Sequence, residues 1–397
     1  MLKIGTSWST AHNSETAIAE ASQALINKLD QHPDLVIAYV TDPHEPNTVQ
    51  AALRTAFPDA QIQGGTSCIG TMTQNGFHSH DGYSIGLFGI VDKLGDYGVG
   101  VAQIFENPRQ AGAEAIDHAI AAAGRYGEPP ELIWINGVPG AEEQVILGIQ
   151  DIVGTQIPIA GGSSADNSVS GKWFQFTHDR FMSNGVTVTA MYPSVETYVA
   201  FHSGYSTTEF SGVVTKASGR SLEEINGRPA AEVYNEWTNG LLNGYLNGGN
   251  ILAQTTLNPL ARYVDQIGSI DYHRLSHPQT ATANGALTLF TNIEEGEELI
   301  LMAGTRDSLI NRAGRVAQSA LDLGRISAND VSGALVIYCA GCMLTVQDGM
   351  NDVAKGIANT LNGTPFIGTF TFGEQGCFIN GDNYHGNLMI SIVVFGK

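Results

Sequence analysis

One pattern of apolar, helical and glycine-containing segments occurs three times in this chain. In the first copy, DLVIAYV (34–40) predicts a buried strand, TVQAALRTAF has the apolar spacing of a helix, and PDAQIQGGTSCIG predicts a short strand with a glycine pair. The second copy runs from ELIWING (131–137) to QIPIAGGSSADN, and the third from GALVIYCAG (333–341) to TPFIGTFTFGE. An internal repeat of this kind constrains the fold before any single residue is considered.

Each copy is followed by a further strand-like run, namely HDGYSIGLFGI (80–90), NGVTVTAMYP (184–193) or NLMISIVVFG (387–396). The predicted unit is therefore strand, helix, strand, strand, and this alternation indicates an α/β fold with mixed sheets flanked by helices. We expect two domains: residues 1–205 with the first two copies, and residues 206–397 with the third.

The glycine-rich segment GGTSCIG (64–70) has two competing interpretations, a nucleophile or phosphate loop and a structural turn. A nucleophile elbow, G-x-S-x-G, would need glycine where Ile69 stands, and also at Asp166 in the second copy. The phosphate-loop pattern G-x-x-x-x-G-K-[ST] is absent as well. The sequence therefore favours a turn after a strand that needs the backbone freedom of glycine, in a loop that can line a ligand cleft.

Charge and hydropathy exclude several classes of function. The 397 residues contain 19 Lys+Arg and 39 Asp+Glu, and a net charge of −20 repels nucleic acids and anionic membranes. The longest apolar runs are far shorter than the roughly 20 residues that span a bilayer. The amino terminus lacks the apolar core of a signal peptide, and four cysteines do not make a disulfide framework. These features predict a cytoplasmic protein.

The third copy resembles the FIST carboxy-terminal domain. The resemblance is carried by VIYCAG, by TPFIGTFTFGEQG with Gly368, Gly373 and Glu374, and by the upstream segment GVVTKASGRSLEEINGRPAAEVYNEW (212–237). The first two copies, with GGTSCIG and GGSSADN, are similar to the FIST amino-terminal domain. The match extends from about residue 30 to 395, with several motifs in order.

The resemblance implies an intracellular sensory module that binds a small ligand. Because nearly the whole chain is used by the two FIST halves, such a sensor would report through a partner. The chain looks like the haem-binding FIST proteins that sense nitric oxide and modulate a histidine kinase in bacteria. We therefore expect haem as cofactor, a histidine kinase as partner, a homodimer as one possible assembly, and no enzymatic activity. The alternatives are a haem-free module for a small organic ligand such as an amino acid, and an enzyme with a cleft cysteine or Glu374 as its catalytic group.

The segment DYHRLSHPQT (271–280) holds the candidate haem-binding residues. His277 and His273 can supply an axial ligand, and Arg274 can pair with a propionate. Pro278 favours extended backbone at His277, which makes it the first choice, although a polar hairpin edge explains the same segment. Glu374, in the FGE turn, is expected beside the cleft. There its carboxylate can hydrogen-bond either a ligand or the backbone amides of its own turn.

Cys339 and Cys342 form a C-x-x-C at the end of a predicted buried strand. Together with Cys68 and Cys377 they could hold zinc or an iron–sulfur cluster, since four thiolates suit either group. Unpaired cysteines are also common in apolar cores, and this explanation stays open. The predicted metal ligands are thus His277, with its neighbour His273, and the C-x-x-C pair.

Two further histidine positions are weaker candidates. His78 and His80 form an H-x-H in NGFHSHDGY, and on a strand both side chains would lie on one face, as in a metal site. Asp81 is the one carboxylate or cysteine at a spacing that would allow it to serve as a further metal ligand. His202, near the join of the two predicted domains, is a further axial candidate.

Overall fold

The computed structural model describes residues 2–267 and 270–397 and shows three similar units around one centre. The first unit comprises β1 (Lys3–Ser9), α1 (Ser14–Leu29), β2 (Leu35–Val40), α2 (Pro46–Ala56), β3 (Gln61–Thr66), β4 (Thr71–Thr73), β5 (Gly76–His78) and β6 (Ile85–Val91). The second comprises β7 (Asp96–Gln103), α3 (Pro108–Ala122), β8 (Leu132–Gly137), α4 (Glu142–Val153), β9 (Ile159–Ser163), β10 (Gln175–Thr177), β11 (Phe181–Met182) and β12 (Gly185–Tyr192).

The third unit is interrupted by an insertion. It starts with β13 (Thr197–His202). The inserted part comprises β14 (Ser206–Ser218), β15 (Ser221–Ile225), β16 (Arg228–Pro229), α5 (Ala230–Trp237), β17 (Gly249–Asn250), α6 (Leu252–Thr255), β18 (Leu260–Ile267), β19 (Ile270–Ser276), β20 (Pro278–Ala281), β21 (Leu287–Leu289) and β22 (Glu298–Ala303). The third unit then resumes with α7 (Arg306–Gly324), β23 (Val331–Cys339), α8 (Ala340–Thr345), α9 (Met350–Thr360), β24 (Phe366–Thr371), β25 (Glu374–Cys377), β26 (Asn383–Gly386) and β27 (Ile390–Gly396).

The predicted fold class is confirmed, and the repeating unit is longer than the sequence pattern indicated. Each unit has the same four-stranded core, in the order β1-β6-β2-β3, β7-β12-β8-β9 or β13-β27-β23-β24. The last two strands of each core are parallel and the other pairs antiparallel, so the sheets are mixed. The extra strand and helix that open each unit, such as β1 and α1, were not part of the predicted repeat.

Each sheet is completed by the hairpin of a different unit. The β10–β11 hairpin of the second unit extends the first sheet, and β25–β26 of the third unit extends the second sheet. The β4–β5 hairpin of the first unit extends the third sheet and closes the ring. Backbone bonds follow the same cycle, because Ala165 N donates to Thr66 O, Cys68 N to Phe370 O and Phe372 N to Ser163 O.

The three sheets enclose a common apolar core, and helices cover their outer faces. All six residues of β2, LVIAYV, are buried, as expected for a strand covered on both faces. Side chains from all three sheets meet at the centre, including Ile37, Trp134 and Ile337, and Trp134 Nε1 donates to the Tyr39 hydroxyl at 3.0 Å. The inserted strands form a separate nine-stranded sheet with its own core.

The glycine pairs lie inside strands, which corrects the expected turn. Gly64 and Gly65 belong to β3, and Gly161 and Gly162 to β9. A Cβ at Gly64 would lie 2.1 Å from the Phe176 ring, which belongs to the exchanged hairpin of the second unit. At this position glycine is needed because two units approach closely.

The predicted boundary between residues 205 and 206 falls where the inserted sheet begins. Because β13 lies before this point and pairs with β27, the third sheet takes strands from both sides of it. Among the helices of the described residues, none is long and apolar enough to cross a membrane.

Candidate functional site

Four of the predicted site residues meet where the third unit contacts the insertion. Cys339 ends β23, and Cys342 follows in the first turn of α8. A Cβ at Gly341, between them, would lie 3.7 Å from both Cys339 Sγ and His277 Cε1. Glu374, fully buried at the start of β25, lies close enough for its charge to act on Cys339.

The other two predicted residues lie apart from this group. The Arg274 guanidinium lies 5.0 Å above the Tyr384 ring and 3.7 Å from a Glu297 carboxylate oxygen. His273 packs edge-on against Tyr263, with ring centroids 6.0 Å apart. The candidate residues of segment 271–280 therefore lie in different places, since of these three only His277 reaches the cysteine turn.

A residue that the sequence analysis did not select, Arg312, lies at the centre of this site. It lies on the buried face of α7 and is 1% exposed. Its Nη1 donates to Leu388 O at 2.7 Å, whereas Nε and Nη2 have no hydrogen-bond partner in the described part of the chain. Its guanidinium lies 4.9 Å from the Tyr338 ring centroid and 5.7 Å from that of Tyr205. Because arginine stays charged, a buried guanidinium requires an anion nearby.

The lowered pKa of the Cys342 thiol favours a thiolate as that anion. Burial acts to raise the pKa of its thiol, but a hydrogen bond from Cys339, the charge of Arg312 and a hydrogen bond from Tyr205 together lower this pKa to about 6. The Tyr205 hydroxyl lies 3.5 Å from Cys342 Sγ and donates to Thr256 O at 2.7 Å. Thr256 belongs to the insertion, so Tyr205 joins the cysteine turn to that part of the protein.

The remaining acidic groups of the site are held neutral. Burial raises the pKa of the Glu374 carboxyl well above its ordinary value, despite hydrogen bonds from Met389 N and Thr371 Oγ1, both at 3.0 Å. Burial likewise raises the pKa of Cys339 and of the Tyr338 phenol. At neutral pH the site thus combines one cation, Arg312, with one thiolate.

A cavity of about 290 Å³ lies on the outer side of this group. It is formed by the connection from β13 to β14 and by α7. Its lining residues are His202, Ser203, Gly204, Tyr205, Ser206, Arg312, Arg315, Val316 and Ser319. Since the lining includes Arg312 and Tyr205, the cavity leads towards the cysteine turn.

A second polar cluster connects the second unit, the β25–β26 hairpin and the insertion. Arg220 Nη2 bonds to Glu142 and Glu143, at 2.7 Å in each case. Ser163 Oγ donates to Glu142 Oε1 at 2.8 Å, and His385 Nε2 lies 4.0 Å from Glu142 Oε2. Because Arg220 bonds to both carboxylates, the cluster acts as a clamp between three parts of the fold.

Of the predicted metal ligands, the structure brings together His80 and Asp81, with His12, and forms no such group from the cysteines, His273 or His277 within the described residues. Groups of three or more possible metal ligands within residues 2–267 and 270–397 are His12, His80 and Asp81, and Glu142, Glu143 and His385. Neither includes a cysteine, His273 or His277. His78 and His80 differ in environment, because His78 is buried and stacks on Trp8 whereas His80 is exposed.

The predicted axial ligand His277 does not fit a haem as it is arranged here. Its imidazole is 3% exposed, and Nε2 donates to Leu252 O at 3.0 Å. Burial lowers the pKa of the ring to about 4, so it is neutral. The cavity beside the site is lined by His202 and not by His277.

The FIST N domain model matches residues 34–228 and the FIST C domain model residues 230–377. The uncharacterized protein MJ1623 of Methanocaldococcus jannaschii is 31% identical over 96 residues, which are 24% of this chain and 18% of that protein.

Solved structures similar to this chain include two cyanuric acid hydrolases. One, from A. caulinodans, aligns over 100% of both chains at 10% identity with a TM-score of 0.40, and the other does so at 9% identity with a TM-score of 0.39. PurLQS from Thermotoga maritima covers 76% of this chain at a TM-score of 0.23.

The prediction that this chain is not an enzyme is contradicted by the two hydrolases, which are enzymes that align along its whole length, and we withdraw it. The low TM-scores carry no argument about a reaction. FIST domains do support the coarser prediction of a signalling sensor for a small ligand. Since the two domain models match in order and together cover most of its length, this chain belongs to the FIST family, with a FIST N domain followed by a FIST C domain.

Proposed function

We propose that this chain is a sensor that binds a small anionic ligand in the cavity between the β13–β14 connection and α7. The observation that carries the proposal is the cavity's position over Arg312, at the junction of the third unit with the insertion. Small-molecule sites are typically concave and contain a few convergent polar groups.

The lining favours a carboxylate-bearing ligand of amino-acid size. Arg315 is exposed and lines the cavity, and His202, Ser203 and Ser319 provide further polar groups. An arginine can bind a carboxylate through two parallel hydrogen bonds. A basic cavity is a local exception on a chain whose net charge is −20.

The position of the cavity supports a signalling role. β13 belongs to the third sheet and β14 to the inserted sheet, and the cavity lies at their connection. A ligand that binds more tightly to one arrangement of these two parts shifts the population towards it. A partner protein that distinguishes the two arrangements would then receive the signal.

The finer function predicted from the family resemblance is haem-dependent sensing of nitric oxide in the cytoplasm, with a histidine kinase as partner. Its support is the resemblance to haem-binding FIST proteins. Since His277 is engaged with Leu252 O, haem binding there would require a rearrangement around β19 and β20. This alternative predicts a haem absorption band, which can be tested separately from carboxylate binding.

Binding is tested by thermal denaturation and calorimetry with the standard amino acids and small dicarboxylates, and separately by titration with hemin. We expect one carboxylate to saturate and stabilise the protein by about 2.7 kcal/mol at a hundredfold excess over its Kd. Arg315→Gln should weaken this binding at least about tenfold, because a charge-assisted pair is worth roughly 1.5–3 kcal/mol. Arg54→Gln removes the same charge from exposed α2 and serves as the matched control.

If no carboxylate stabilises the wild type, the proposed ligand class is wrong. A saturable Soret band at one haem per chain, unaffected by Arg315→Gln, would instead support the haem alternative. A shift of that band with nitric oxide would support the finer function.

A further inference from the structure

We propose that Cys339 and Cys342 form a redox-active dithiol that small hydroperoxides oxidise to a disulfide. The proposal goes beyond ligand sensing and does not depend on it. Four observations carry it: the spacing of the pair, the buried arginine beside it, the tyrosine that links it to the insertion, and the contrast with the other two cysteines.

The local backbone places the two cysteines in one turn. The apolar strand β23 ends at Cys339, and the chain then enters the first turn of α8, where Cys342 follows. Residues three apart in a helical turn have Cβ atoms about 5–6 Å apart, and a disulfide needs about 3.5–4.5 Å. The two thiols lie close enough for each to act on the pKa of the other, so a disulfide needs the two Cβ atoms of this turn to move closer together.

Arg312 makes Cys342 the reactive member of the pair. Its Nε and Nη2 have no hydrogen-bond partner among the described residues, and its charge stabilises a thiolate at Cys342. The thiolate is the form that reacts with peroxides. In contrast, burial raises the pKa of Cys68 to about 12 and that of Cys377 to about 11, so both stay protonated at neutral pH.

The reaction balances with one hydroperoxide. The Cys342 thiolate attacks the O–O bond of ROOH, which gives Cys342–SOH and releases ROH after the alkoxide takes a proton from water. Cys339 then loses its thiol proton, attacks the sulfur of the sulfenic acid and displaces water. The two sulfur atoms are each oxidised by one electron, and the peroxide is reduced by two.

Oxidation changes the contact between the third unit and the insertion. The disulfide has no negative charge, so the buried Arg312 loses its anion. The same change removes the negative charge 3.5 Å from the Tyr205 hydroxyl, which donates its proton to Thr256 O in the insertion. The titratable groups that interact with the charge of Arg312 include Cys342, Tyr338, Tyr205 and Cys339, together with Glu374 and His202. Both consequences act at the same junction as the cavity.

Access to the pair is restricted. Cys339 is 5% exposed and Cys342 is fully buried, while the cavity reaches Tyr205 and Arg312 beside them. Hydrogen peroxide is close to water in size, whereas bulky disulfides are not. Small hydroperoxides are therefore the oxidants that suit this buried pair.

The test treats the full-length protein at pH 7 with equimolar hydrogen peroxide, then blocks free thiols in denaturant and maps them by mass spectrometry. We expect a Cys339–Cys342 disulfide to form at least about tenfold faster than any oxidation of Cys68 or Cys377, since reactivity follows the thiolate fraction. In Cys339→Ser, which lacks the second thiol, dimedone should trap a sulfenic acid at Cys342.

Equal rates at all four cysteines, or no disulfide in the wild type, would overturn the proposal. Cys68→Ser is the matched control and should form the disulfide at the wild-type rate. The comparison within the wild-type chain does not depend on whether a variant folds. Because no cavity ligand is added, failure here is distinct from failure of the proposed sensor function.

Discussion

Replacing Cys342 with serine should remove a specific part of the pH dependence of stability. The pKa of this thiol lies at about 6 in the folded protein and has an ordinary value of 9.0. Because this pKa is lowered, the thiol loses its proton at a lower pH in the folded state than in the unfolded state. The resulting stabilisation is complete above pH 9 and is lost as the pH falls through 6.

The magnitude follows from the size of this shift. At about 1.36 kcal/mol per pKa unit, the thiolate contributes up to ~4 kcal/mol, and it changes by ~1.4 kcal/mol per pH unit within the window. Between pH 7 and pH 8.5 the wild type should therefore gain ~2 kcal/mol of unfolding free energy relative to Cys342→Ser. Burial lowers the pKa of His44, His78 and His277 to about 4, so their effect falls at lower pH and is common to both proteins.

Urea unfolding followed by tryptophan fluorescence, with a phosphine reductant present, measures this difference at each pH. Cys68→Ser is the matched control, since burial raises the pKa of this cysteine to about 12 and its removal should leave the slope between pH 7 and pH 8.5 unchanged. If the wild type and Cys342→Ser change in parallel over this range, Cys342 is not the anion that balances Arg312.

Two further predictions concern other parts of the fold. Gly64→Ala should destabilise the protein by about 1–3 kcal/mol in the same urea assay, because its Cβ would meet the Phe176 ring. Gly244→Ala is the control and should be nearly neutral, because a Cβ there meets open space. If Gly64→Ala is as neutral as Gly244→Ala, the exchanged hairpin tolerates the added methyl group and the close contact is not what requires glycine. Glu374→Gln should lower the free energy of unfolding by less than about 1 kcal/mol, because an amide replaces a carboxyl that is already protonated. Glu142→Gln should lower it by about 3 kcal/mol, because it weakens a buried ion pair with Arg220. A larger loss at Glu374 than at Glu142 would show that Glu374 is ionised.

The sequence revealed the repeat because its middle strands are buried on both faces and so appear as unbroken apolar runs. The opening strands were missed because their patterns are mixed, as in KIGTSWS of β1. The exchanged hairpins include strands of two to four residues, such as TMT (71–73) and QFT (175–177), whose pairing partners lie in other units. Periodicity within a segment cannot identify such distant partners.

Part of the site could also be predicted from local sequence patterns, and part could not. Cys339, Cys342 and Glu374 were selected from motifs, and the structure brings them together. Arg312 was missed because an arginine in a helix is usually exposed. A signal was present, since Arg312 lies on the same helix face as the buried Leu309 and Val316, where a charged residue is unexpected.

The cyclic exchange of hairpins has a consequence for biosynthesis. Phe370 N donates to Ser67 Oγ across 303 residues, so the first unit meets its last partner only near the end of translation. At roughly 5–20 residues per second, the β4–β5 hairpin waits about 15–60 s for β24 to leave the ribosome. A nascent chain that stops before Phe366 lacks β24 to receive this hairpin and lacks β25 to cover the edge of β9. Such unpaired edges promote aggregation, so this protein should depend on chaperone binding during synthesis more than a chain whose units fold one after another.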